Sequence, residues 1–197
     1  EVTPAVADIL QKEDGVQLEI RLNIEALLSG IDLSNVSNTD EAKQSAKYDF
    51  YRSRSQTDLK SDFLNIWPSL ETNLKIKQDD ELVALKLKKT MVEEQVNLNY
   101  PRFSKIVFTA SVDPYRPFSF QWSKAYGDIV LRGPDSKNSF TQYLQAGIES
   151  SDITIGEEPK YKFLNVFFEY IPVGFTHIIP KGLDHILFVV GIFFLST

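Results

Sequence analysis

The chain contains two histidines, His177 and His185, with Asp184 directly before the second, in a run that reads H-I-I-P-K-G-L-D-H. Two imidazoles and one carboxylate make a ligand set for a divalent transition metal such as nickel, cobalt, zinc or iron. Pro180 and Gly182 interrupt regular backbone between them, which allows His177 to fold back toward Asp184 and His185. A structural reading of the same residues stands beside this one. Asp184 can cap a helix or pair with Lys181, His185 can hydrogen-bond a neighbouring helix, and His177 can be an interfacial side chain without a ligand role. Two histidines and a carboxylate lack the specificity of a four-cysteine pattern, and spacing alone leaves both readings open.

Other chemistry is scarce. There is no cysteine, so disulfides, thiolate catalysis and zinc–cysteine sites are excluded. No G-x-S-x-G, H-E-x-x-H, P-loop or Rossmann glycine set occurs. A Ser or Thr nucleophile needs a base, and both histidines sit near the C-terminus. No enzyme is therefore expected, a carboxylate-only hydrolase being the one class left open. Asp79-Asp80 reads as a turn, Glu93-Glu94 as solvated surface, and Lys86, Lys88 and Lys89 as the wet face of a strand. Trp67, Trp122, Phe118 and Phe120 read as core. The net charge is −6, which argues against nucleic acid, since that partner rewards a concentrated basic surface.

The elements that must position the histidines are unlike the rest of the chain. From Phe163 onward the charged residues are Glu169, Lys181 and Asp184, and Ile186 to Leu195 reads ILFVVGIFFL without a polar side chain. Residues 160–179 are expected to form an interfacial or linker segment, with Lys160, Lys162, Asn165 and Glu169 as its polar side and breaks at Pro172 and Gly174. Residues 180–197 are expected to start a transmembrane helix. The stretch Gly182 to Leu195 falls short of the about 20 residues a bilayer span needs, so the expectation is a span cut off in mid-helix. A buried core helix is the alternative for so short a run, but FVVGIFFL has no polar face. An ionisable pair at the mouth of such a helix is costly unless it has a partner, a cavity or a task.

Residues 1–159 read as a separate domain. Composition is ordinary for a globular protein, 43% hydrophobic and 24% charged over 197 residues, enough for one domain with an appendage. Val16, Leu18, Ile20, Leu22 and Ile24 alternate with polar residues through Glu25, which is the period of a half-buried strand. Glu13-Asp14-Gly15 is a turn, so Val6–Leu10 becomes its hairpin partner. Asn38, three residues before Glu41, is placed to cap a helix. A second helix is expected over Asp58–Trp67, with Ser55 or Thr57 as cap, ending before Pro68. Further strand patterns contain Leu74 and Ile76; Val83, Leu85 and Leu87; Ile106 to Val112; Phe118 to Trp122; Ile129 to Leu131; Phe140 to Leu144; and Ile153 to Ile155. The sum is a mainly β, β-sandwich-like domain with a helical insertion at about 38–67. Gly156-Glu-Glu-Pro159 is the expected boundary.

The segment GFTHIIPKGLDHILFVVGIFFLS, residues 174–196, resembles the first membrane segment of the HupE/UreJ family, in the form with an exported N-terminal domain. PAVADILQKEDGVQLEIRLNIEALLSGI, residues 4–31, is similar to the start of that domain. The resemblance implies a polytopic inner-membrane protein associated with nickel or related metal uptake. It also implies residues 1–160 on the periplasmic side and a signal peptide removed near Glu1. It places His177, Asp184 and His185 on the family's histidine, spacer, Asp-His pattern. The spacer here is six residues, Ile178 to Leu183, where the nickel-permease motif has five, which alters the fold-back on which ligation by His177 depends.

Two functions follow as expectations. One is a divalent-metal permease, with nickel or cobalt as cargo before zinc or iron, the lipid bilayer as solvent and the β-domain outside it. The other is a membrane-tethered accessory subunit that binds another envelope protein, with structural histidines. An exposed apolar patch on the insertion at residues 31–70 would favour the second.

Overall fold

The computed structural model describes residues 2–98, 100–134 and 139–155. The chain divides into two units, Glu1–Glu158 and Pro159–Thr197, and the described residues all lie in the first. They are mainly β, with two sheets.

The opening hairpin forms where the period-two pattern places it. Strands β1 (Ala5–Lys12) and β2 (Gly15–Leu22) pair antiparallel from Val6↔Arg21 to Lys12↔Gly15. Ala5, Ala7 and Ile9 on β1, and Val16, Leu18 and Ile20 on β2, are buried. Gly15 has φ +137°, and a Cβ there would stand 2.2 Å from the Ala110 carbonyl oxygen. Glycine is thus needed twice over, for the backbone angle and for the close approach of the neighbouring strand.

Strand β2 ends earlier than its alternation suggests. Asn23 accepts a hydrogen bond from the Ala26 N–H at 3.0 Å and starts α1 (Ile24–Ser29), which Gly30 closes in the left-handed conformation. Local capping overrides the pattern at Ile24 and Glu25. Asn38 does cap, accepting from Asp40 at 3.2 Å, but only for a single 3-10 turn over Thr39–Glu41, because Ala42 is extended. Helix α2 starts afresh at Ser45 and runs to Ser53. Helix α3 (Gln56–Glu71) is capped by Ser55 and passes through Pro68 instead of stopping before it. Proline forfeits one hydrogen bond near a helix end. The last turn is secured by the Thr72 hydroxyl and the Asn73 side-chain amide, both donating to the Ser69 carbonyl. The helical region thus extends from Ile24 to Glu71, wider than the 38–67 expected.

The remaining strands are β3 (Leu74–Gln78), β4 (Glu81–Leu82), β5 (Leu85–Val92), β6 (Ser104–Ala110), β7 (Ser119–Trp122), β8 (Ile129–Arg132) and β9 (Thr141–Leu144). One sheet has the order β5-β6-β2-β1-β8-β9, the other β4-β3-β7. The β1·β8 pair is parallel, with Ala5 opposite Ile129; the others are antiparallel. Asp79 and Asp80 adopt φ of 54° and 65° in the two-residue turn between β3 and β4, a conformation that aspartate tolerates. Ile153 forms a bridge to Phe118 rather than a full strand.

The main core draws on both sheets and on α3, and a smaller cluster holds Ala26, Ile31, Ala42 and Tyr48. Leu59, Phe63 and Trp67 follow at four-residue spacing, so they share one face of α3, and all three are buried. The Trp67 ring lies 5.9 Å from Phe63 and 6.3 Å from Phe108 on β6. Trp122, Phe118 and Phe120 are buried in the same core, and Lys86, Lys88 and Lys89 are exposed, as their strand patterns predict.

Candidate functional site

His177, Asp184 and His185 lie outside the described residues, as do the interfacial segment 160–179 and the membrane segment 180–197. The described residues contain no histidine or cysteine. Among them, no group of three His, Cys, Asp or Glu could hold a metal ion. The two imidazoles of the sequence are those of His177 and His185. Among the described residues no helix is long and apolar enough to cross a membrane.

The last described residues are anchored on the β-domain. Phe118 and Ile153 exchange both backbone hydrogen bonds, at 3.0 and 2.8 Å. Ser150 and Phe120 are joined the same way: the Ser150 N–H donates to the Phe120 carbonyl at 2.8 Å, and its hydroxyl accepts from the Phe120 N–H at 2.9 Å. Ile155 N–H donates to the Pro114 carbonyl at 2.9 Å. Ser150, Ile153 and Ile155 are all buried. Apolar side chains at 153 and 155 enter the core with strand periodicity, and the backbone bonds hold the segment against β7. Just upstream, Glu149 accepts from the Lys77 ammonium at 3.0 and 3.1 Å and from the Ser119 hydroxyl at 2.6 Å. The Ser119 bond, then Lys77, holds this carboxyl below its ordinary range.

The buried polar centre lies elsewhere. Arg102, in the loop between β5 and β6, donates from Nε to Glu25 Oε1 at 2.7 Å, and the two side chains are 1% and 0% exposed. Its Nη2 donates to the carbonyls of Arg52 and Arg54 at 2.6 and 3.0 Å. Burial raises the Glu25 carboxyl above its usual value, and the Arg102 hydrogen bond and charge oppose that rise. One guanidinium thus ties α1, the α2–α3 corner and the β5–β6 loop together. The sequence reading missed both residues: Glu25 looked like the outer face of a strand, and Arg102, 77 positions away, carries no local signal.

Two surface depressions lie among the described residues. A cleft of about 580 Å³ is lined by the α2–α3 corner, by Glu94, Gln95, Val96 and Leu98 of the β5–β6 loop, and by Arg102. Its cations are matched: Arg52 by Asp49, Arg54 by Asp58 and Asp62, and Arg102 by Glu25. Glu94 also lines it, so it offers an anion little. A hollow of about 790 Å³ lies between the β1–β2 turn and Val112–Tyr115. Its lining carries the carboxylates of Glu13, Asp14 and Asp113 beside Lys12 and Tyr115.

The family model described as HupE / UreJ protein matches residues 152–197, under a quarter of the chain. The match includes the buried anchor at Ile153 and Ile155 and the whole histidine run. No curated protein matches the chain.

Proposed function

With residues 152–197 assigned to the HupE/UreJ family, a metal-transport family, we propose that this chain is a membrane protein that binds or passes a divalent transition metal. Nickel or cobalt is the cargo that best fits, with zinc or iron next. His177 and His185 supply the imidazoles and Asp184 the carboxylate at the entrance of a membrane helix that begins near residue 180. Residues 160–179 lie at the interface. Residues 1–159, whose two sheets share one core, form a sandwich-like domain on the periplasmic side of an inner membrane. The domain is not an enzyme in this reading.

The observation that carries the proposal is a coincidence of position. The one segment with a family match is also the one with both histidines and the uninterrupted apolar run. A binding site at the mouth of such a helix supplies the task that an ionisable pair there requires. The domain's acidic balance modestly favours cations near it, an effect screened beyond about 10 Å at ordinary salt.

The test is to reconstitute the full chain in vesicles and float them after carbonate washing, with and without residues 163–197. The full chain should float and retain nickel; the deletion should stay soluble and monodisperse without it. A full chain that washes off the vesicles would refute the membrane assignment.

A second reading has one observation in its favour. Phe50 on α2 and Leu64 on α3 are 55% and 45% exposed, on the insertion where an accessory subunit would meet an envelope protein. Nickel-independent capture of one defined envelope protein, lost on Phe50→Ser, would favour that reading.

A further inference from the structure

The two sheets have four edges among the described residues, and one of them is long. The six-stranded sheet ends in β9, of four residues, and in β5, of eight. The other sheet ends in β4, of two residues, and in β7, which carries Ser150 and Ile153 alongside. A strand edge presents N–H and C=O groups to which another strand can add. β5 is therefore the edge where a second chain has most backbone to pair with. Its sequence, L-K-L-K-K-T-M-V, alternates except at one residue. Leu85, Leu87, Thr90 and Val92 stand opposite Ala110, Phe108, Ile106 and Ser104, the buried residues of β6. The register steps from Leu87↔Phe108 to Lys89↔Val107, so Lys88 is an extra residue, a β-bulge. Without Lys88 the alternation would run unbroken and the same pairs would form. A bulge interrupts the ladder and bends the strand, and nothing in the core requires this one.

Three lysines gather at the same place. Lys86, Lys88 and Lys89 are exposed, and none has an ion pair among the described residues. A second β5 laid antiparallel along this edge would set these lysines against their own copies. Like charges opposed across strands destabilise the pairing. At the far end of the strand the Gln56 side chain of α3 donates to the Val92 carbonyl, so an acceptor there is already taken. We propose that the Lys88 bulge and the charges of Lys86, Lys88 and Lys89 close the β5 edge against strand addition by a second copy of this chain. The bulge breaks the match of backbone groups, and the lysines add a repulsion that salt screens. The inference stands apart from the metal and membrane readings, since it uses the β-domain alone.

The experiment uses the full chain in detergent. It has no cysteine, so one introduced thiol reports where two copies meet. Lys89→Cys places it in the middle of the edge, and Gln17→Cys, on β2 inside the same sheet, is the control. Disulfide-linked dimer is followed after adding diamide, with and without deletion of Lys88 and Lys86→Thr. Linking through Cys at 89 should speed up by about tenfold or more once both changes are made, as relief of opposed charges and of the bulge allows. Linking at 17 should not change. With Lys88 deleted and Lys86 kept, linking at 89 should be slow at low salt and rise at high salt. Fast linking at 89 with Lys86 and Lys88 in place would show an edge already open and overturn the proposal. A folded chain that links no faster after both changes would overturn it too. If the deletion lowers the urea midpoint, Lys88 serves the fold, and Lys86→Thr with Lys89→Cys, which keeps the bulge, decides for the charges. That chain should link faster than Lys89→Cys alone, and an equal rate would overturn what remains.

Discussion

Arg102 donates from Nε to Glu25 Oε1 at 2.7 Å with both side chains out of contact with solvent. The pair joins the first helix to a loop 77 residues away. Among the described residues, Glu25 Oε2 and Arg102 Nη1 find no hydrogen-bond partner, so the pair is held at one edge. Removing one member of a buried pair strands the other charge. Arg102→Met is expected to destabilise the domain by about 3–5 kcal/mol, since two backbone carbonyls also lose their donor. Glu25→Gln, which keeps an acceptor, should cost less. Urea unfolding followed by Trp67 and Trp122 emission measures both; equal and small losses would mean that the pair contributes little.

The pH response of this pair runs opposite to that of the surface carboxylates. Glu25 has its folded pKa raised, burial being the main cause. Its contribution is present below the unfolded value and is lost as pH rises through the folded one. Glu149 and Glu19 have theirs lowered, chiefly by the Ser119 and Lys105 hydrogen bonds. Their contribution is present above the ordinary glutamate value of about 4.5 and is lost as pH falls from there through the lowered folded value. Glu149→Gln should flatten the loss of stability on acidification below about pH 4.5 and leave the slope above it unchanged. The pair is part exposed, so the effect at neutral pH should stay under about 1 kcal/mol. A variant with an unaltered acid limb would contradict the assignment.

Gly15→Ala tests the packing of the hairpin against β6. The new methyl would meet a backbone carbonyl oxygen at 2.2 Å in a φ region that alanine avoids. A destabilisation of about 2–3 kcal/mol is expected, read as a lowered urea midpoint with an unchanged slope. A neutral substitution would show that the turn can shift.

What the sequence discloses depends on how local the cause is. The β1–β2 hairpin is legible because its alternation and its turn lie within one short stretch. The aromatic core residues are legible because burial follows from side-chain chemistry. The parallel β1·β8 pair is not, because Ala5 meets Ile129 across most of the domain and no local period encodes the partner. Pro68 misleads because the one bond it forfeits, to the Leu64 carbonyl, lies near the helix end on an exposed turn. Ile24 and Glu25 mislead because an Asn23 cap is a stronger local instruction than one more alternation. For the histidine run, residue type and spacing remain the argument, joined by a family match over the same residues.

The central claim is that His177, Asp184 and His185 hold one metal. The direct measurement is titration of nickel and cobalt into the full chain in detergent, beside His177→Ala, Asp184→Asn and His185→Ala. The account predicts one stoichiometric ion in the parent chain, lost in all three variants. No bound metal in the parent chain, or a stoichiometry unchanged in all three variants, would contradict it.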